Sequence, residues 1–131
     1  MLHQIYNSCS FEYDMRQFLK SIACAVNGFT RMFTERNFII HIVAAVAALL
    51  LCIVLQVTTI EFCIVIICIA LVAGFEMMNT AIEKLANLVH PGYSEKIKII
   101  KDISAAAVLL AAITSIVIGI IIFLPKLMLL N

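Results

Sequence analysis

Two carboxylates and two amides set in apolar surroundings are the residues of this chain best suited to chemistry. They lie in Gly74-Phe75-Glu76-Met77-Met78-Asn79-Thr80-Ala81-Ile82-Glu83-Lys84-Leu85-Ala86-Asn87, which closes an apolar run from Phe62 to Phe75. An α-helix turns about 100° per residue, so a step of seven residues falls about 20° short of two full turns. Glu76 and Glu83 therefore share one helix face, roughly 10 Å apart along the axis. Asn79, Thr80 and Asn87 fall on or near the same stripe, and Phe75, Met78, Ile82 and Leu85 point elsewhere. A carboxylate at membrane depth costs about 2.5–3.5 kcal/mol even on a lenient scale, so it normally faces a partner, water or an ion. The stripe reads as the wall of an active site.

Carboxylates with lysines nearby suit Mg²⁺ and phosphate, because Mg²⁺ is commonly held by one or two carboxylates together with substrate phosphates. Phosphoryl transfer needs a metal, cationic groups on the nucleotide and a base near the attacking hydroxyl. Glu83 with Glu35 would hold the metal, and Lys101 would meet phosphate oxygens. Glu76, nearer the apolar end, is placed to act as base on a lipid hydroxyl. The chain has four glycines (Gly28, Gly74, Gly92, Gly119), which leaves no room for a Walker loop or a Gly-rich kinase loop.

The elements that must position these groups are membrane helices. The 131 residues amount to one domain, 64% hydrophobic, with a mean hydropathy of +1.13. A soluble core of this size cannot hide so much apolar surface. A net charge of +1 without a basic tail sets nucleic-acid binding aside. The polar start Met1-Leu2-His3-Gln4 lacks the apolar core and cleavage site of a signal peptide. None of Cys9, Cys24, Cys52, Cys63 and Cys68 forms a C-x-x-C pair, and they read as small hydrophobes.

In chain order, residues 1–9 read as irregular. Apolar residues then recur at Phe11, Met15, Phe18, Ile22, Val26, Phe29 and Phe33 in steps of three and four, against a face with Glu12, Arg16, Gln17, Lys20 and Arg31. That spacing predicts an amphipathic surface helix over 10–34, with a bend at Gly28. Thr34 is placed to cap the next helix, with Glu35 in its first turn. Spans are expected at 38–57, 60–88 and 103–124, each near the length that crosses a bilayer. His41 reads as an interfacial hydrogen-bonding residue. His90-Pro91-Gly92-Tyr93 turns the chain, and Pro125 with Lys126 closes the third span. Small residues on that span permit close helix packing. Cations cluster before the first span and between the second and third, which puts the N-terminus inside and the C-terminus outside. Glu35, the Glu83 end of the stripe and Lys101-Asp102 then share the cytoplasmic side. On residues alone, three readings stay open: a membrane enzyme acting on lipid, a small ion-coupled oligomeric transporter using Glu76 and Glu83, and a structural membrane protein.

Glu76 to Glu83 resembles the E-x-x-N-[ST]-A-I-E signature of the small bacterial diacylglycerol kinase and undecaprenol kinase family. Lys101-Asp102 with Ser104 to Leu109 resembles its K-D-x-[AG]-[AS]-[AG]-A-V-L segment. Glu35-Arg36-Asn37-Phe38 with His41, and Ile121 to Leu127, are similar to the undecaprenol kinase version, and the likeness runs from about Phe18 to Leu127. The resemblance implies an all-α membrane protein, a surface helix plus three spans, forming a homotrimer in the bacterial plasma membrane with active sites between subunits. It implies ATP and Mg²⁺ and a lipid alcohol as acceptor, undecaprenol ahead of diacylglycerol. It makes Glu76 the proton acceptor, and Glu35 and Glu83 the metal ligands at the nucleotide. Lys101, Asp102, Gly92, Tyr93 and Ser94 fall to the nucleotide, Asn79 supports the Glu76 carboxylate on the lipid side, and Lys20 and Ala105 lie toward the lipid. Against the family pattern, Asn87 stands where an Asp is usual and Gln17 where an Arg is usual. Ala106 replaces a common Gly, and one residue is missing between Gly28 and Glu35. That deletion turns the surface helix about 100° against the first span unless the connection absorbs it.

Overall fold

The computed structural model describes residues 2–129, with side chains from residue 15 onward. The chain divides between Glu35 and Arg36 into two units. The first is helix α1, Leu2–Arg31, followed by a single 3₁₀ turn, Met32–Thr34. The second holds α2 (Arg36–Val54), α3 (Thr59–Val89) and α4 (Glu95–Met128). No strand occurs among the described residues.

In the first unit the helix starts at Leu2, where the polar N-terminal residues read as irregular, and passes through Gly28 unbroken. The apolar stripe Phe18, Ile22, Val26, Phe29 and Phe33 is solvent-exposed along it. Phe29 and Phe33 pack edge to face at 5.6 Å. Thr34 does not cap α2: its Oγ1 donates backward to the Arg31 carbonyl at 2.8 Å. Glu35 is extended (φ −90°, ψ 122°), its N–H donating to Met32 O. It therefore precedes α2 instead of lying in its first turn.

In the second unit all three helices are long and apolar enough to cross a membrane, with mean hydropathies of 2.7, 2.4 and 3.0 over their richest windows. α3 packs most extensively on α4 and next on α2. Cys52, Val65 and Ile122 form the buried centre where α2 ends, α3 begins and α4 ends. The α2–α3 connection is built locally. Val57 N–H bonds to Cys52 O at 3.2 Å and Gln56 N–H to Ile53 O at 3.3 Å, with Gln56 at φ 47°. This is a Schellman closure, with a glutamine in the left-handed position that glycine usually fills. Thr58 and Glu61 then form a reciprocal capping box at the start of α3. Glu61 also pairs with Lys126 of α4 at 3.1 Å, which ties the start of α3 to the end of α4.

The third span is longer than its apolar core suggests. It begins at Glu95, so the Lys96–Lys101 segment is helix and not loop. It also runs past Pro125 to Met128, and Leu129 N–H bonds to Pro125 O at 3.3 Å. Proline forbids one backbone bond, but in the last turn that loss does not end the helix.

The three helices share one end, and their lengths decide what lies at the other. At about 1.5 Å per residue, α2 (19 residues) spans about 28 Å, α3 (31) about 46 Å and α4 (34) about 51 Å. A hydrocarbon core of about 30 Å matches α2 alone. α3 and α4 are longer than that core by about a third or more of their length.

Candidate active site at the α3–α4 overhang

Measured from Thr59 along α3, Glu76 lies about 26 Å in and Glu83 about 36 Å in. Glu76 thus falls within, and Glu83 past, an apolar length of about 30 Å counted from the end that the three helices share. Glu76 is 4% exposed, with Asn79 and Thr80 buried beside it one turn on. Burying an ionisable group is tolerated only with hydrogen-bond partners. Among the described residues every buried side-chain nitrogen and oxygen has one. Glu83 is half-buried, and Asn87, a further turn on, is exposed.

α4 runs antiparallel beside this stripe and crosses to it twice. Ser104 Oγ lies 2.6 Å from Asn79 Oδ1, and Asn79 Nδ2 lies 3.5 Å from Glu83 Oε1. Lys101 Nζ donates to Asn87 Oδ1 at 3.1 Å. Lys101 and Ser104 are one helical turn apart, so both face α3, and the Ser104 hydroxyl also lies 2.9 Å from the Lys101 carbonyl. The amide at position 87 keeps the hydrogen bond to Lys101 without cancelling its charge.

The structure therefore brings Glu76, Asn79, Glu83 and Lys101 onto one α3–α4 seam. Within the same unit it places other expected residues off that seam. Asp102 and Ala105 are exposed, each one residue and so about 100° round α4 from Lys101 and Ser104. Gly92 is exposed, and Tyr93 is 84% exposed in the loop before α4. Ser94 is the residue before α4, and its side chain makes no capping bond. Lys20 (exposed) and Glu35 (half-buried) belong to the first unit. Sequence reasoning put Thr80 on the stripe but left Ser104 out of the site. The signal for Ser104 was its spacing of three from Lys101.

Among the described residues no three His, Cys, Asp or Glu side chains converge as a metal cage. The donors on the seam are carboxylate and amide oxygens. They suit a hard cation that completes its shell with substrate oxygens, which is how Mg²⁺ is usually held. On the membrane side, an apolar groove of about 750 Å³ runs between α2, α3 and α4, with Ala45, Ala48, Val72 and Gly119 in its wall and His41 among its few polar residues. Val72 is one helical turn before Glu76, so the groove ends next to the buried carboxylate.

Three comparisons bear on this arrangement. Residues 23–123 match the sequence model of prokaryotic diacylglycerol kinase. An undecaprenol kinase of Bacillus subtilis (strain 168) is 36% identical over 115 residues, covering 87% of this chain and 94% of that protein. A diacylglycerol kinase of Synechocystis sp. is 39% identical over 96 residues, covering 72% of this chain and 55% of that longer protein. No solved structure matches.

Proposed function

The chain belongs to the prokaryotic diacylglycerol kinase family, a membrane lipid kinase acting on an alcohol group, and from that premise we propose that it transfers the γ-phosphoryl of Mg·ATP to the hydroxyl of undecaprenol. The transporter and structural readings give way to this assignment. The observation that carries the proposal is the depth ordering on α3: a buried carboxylate at the apolar boundary, and carboxylate, amide and lysine one to two turns further, toward water. A lipid hydroxyl and a nucleotide approach such a seam from opposite sides.

Glu76 accepts the proton of the lipid hydroxyl as its oxygen attacks the γ-phosphorus, and the bond from that phosphorus to the bridging oxygen of ADP breaks. Glu83 and Glu35 are the carboxylates for Mg²⁺, which when bound neutralises charge on the phosphates. Lys101 holds phosphate oxygens, and Asp102, Gly92, Tyr93 and Ser94 complete the nucleotide side. Asn79 holds the stripe in register, and Lys20 and Ala105 lie toward the lipid. α1 rests in the interface with its exposed apolar stripe in the lipid and Lys20 near the headgroups. The N-terminus is cytoplasmic and the C-terminus outside, by the distribution of lysine and arginine. Even in α3 only 22% of the apolar window is buried, and the outward faces that remain support a homotrimer with sites completed between copies.

Undecaprenol is preferred because the undecaprenol kinase relative is matched over nearly its whole length. Diacylglycerol is the second reading, favoured by the Synechocystis relative. Purified protein in lipid micelles, given radiolabelled ATP with each lipid in parallel, tests both. The proposal expects Mg²⁺-dependent label, abolished by chelator, faster in undecaprenol. Faster labelling of diacylglycerol selects the second reading.

A further inference from the structure

Ser104 is 9% exposed and Asn79 is 5% exposed, so their 2.6 Å contact is shielded from water. The direction of this hydrogen-bond chain follows from what each group can do. An ionised carboxylate only accepts, so the Asn79 amide must turn its NH₂ toward Glu83. Its oxygen then faces Ser104, and the single hydroxyl proton must point at that oxygen. The competing acceptor for the proton is the Lys101 carbonyl at 2.9 Å. Removing the hydroxyl leaves the Asn79 oxygen buried without its α4 donor, so the amide is held from the Glu83 side alone.

We infer that Ser104 is a positioning residue for the nucleotide–metal end of the site: by donating to Asn79 Oδ1 it fixes the amide whose NH₂ faces the Glu83 carboxylate at 3.5 Å. The inference rests on the reading of Glu83 as a metal ligand. Nothing in it requires Ser104 to touch lipid, nucleotide or metal. Its effect passes through Asn79 and falls on binding of the metal–nucleotide complex, leaving acceptance of the lipid proton at Glu76 alone.

The test uses full-length protein in lipid micelles. Mn²⁺·ATP binding is followed by electron paramagnetic resonance, beside steady-state KM values for Mg·ATP and for lipid. Ser104→Ala is expected to weaken Mn²⁺·ATP binding about two- to tenfold, the range for a neutral hydrogen bond. KM for Mg·ATP rises by the same factor, and by more than either kcat or the lipid KM changes. In an Asn79→Ala background the same substitution adds nothing. If Ser104→Ala does not fold, Ser104→Cys keeps most of the volume with a weak donor and shows the same loss. Wild-type binding in the Ser104 variant, alongside lost binding in Glu83→Gln, overturns the role of Ser104 and leaves that of Glu83 standing. Effects that add to those of Asn79→Ala also overturn it. Wild-type binding in Glu83→Gln overturns both.

Discussion

Glu76 and Glu83 lie on one helix face, but two turns separate a carboxylate at 4% exposure from one half-open to water. In the proposed mechanism they have different jobs, which separates two predictions. Glu76→Gln keeps the shape and removes the base, so lipid phosphorylation falls at least about a hundredfold. Nucleotide binding, measured by titration calorimetry, stays near wild type. Glu83→Gln lowers both, because it weakens the metal-dependent binding of ATP. A Glu76→Gln enzyme with normal turnover would remove Glu76 from the role of base. The carboxylate stripe was legible in the sequence because it depends only on the period of a single helix. Ser104 was not, because its importance depends on how far α4 slides along α3, and no single-helix period encodes that slide.

The elements show the same division between local and non-local information. The capping box at Thr58 and Glu61 and the breaker at His90-Pro91-Gly92 are written in neighbouring residues. The early start of α4 is not: Lys96, Lys98 and Lys101 look like a loop by charge, yet they continue the helix out of the apolar region, and one of them faces Asn87. Thr34 failed as a cap because its hydroxyl found the Arg31 carbonyl behind it, a local competition open to every threonine at a helix end. Two substitutions on the α2–α3 connection should shift stability in opposite directions. Gln56→Gly relieves a left-handed side-chain position at φ 47°. After the entropy cost of glycine in the unfolded chain, it should stabilise by up to about 1 kcal/mol. Thr58→Ala removes the cap and the hydroxyl that donates to Glu61 at 2.9 Å, and should cost about 1 kcal/mol. Thermal midpoints in one detergent read both. Neither residue lies near the seam, so the KM values for ATP and lipid should not move.

At the scale of the molecule, that three helices span the membrane was legible from hydropathy, while their unequal reach past a shared end was not. α2, with 19 residues, is the short member, and α3 and α4 stand beyond it. That inequality predicts an enzyme whose rate depends on the thickness of its bilayer. With the α2 span and the Glu61–Lys126 end held at one face of the bilayer, lipid thickness would decide where the opposite face falls on α3. In bilayers much thicker than about 30 Å, acyl chains would rise past Glu76 toward Glu83 and Lys101, and the charged seam would have to tilt, snorkel or thin the lipid around it. In much thinner ones, water would reach Glu76 and the lipid hydroxyl would lose its apolar approach. Turnover measured in phosphatidylcholine vesicles of graded acyl length should therefore peak at an intermediate length and fall on both sides. KM for Mg·ATP should rise chiefly on the thick side, and KM for lipid chiefly on the thin. A rate flat across the series would mean that the bundle does not register membrane thickness. A peaked one would tie the output of this kinase to hydrophobic mismatch, so that a cell altering its acyl chains also alters the rate at which the lipid alcohol is phosphorylated.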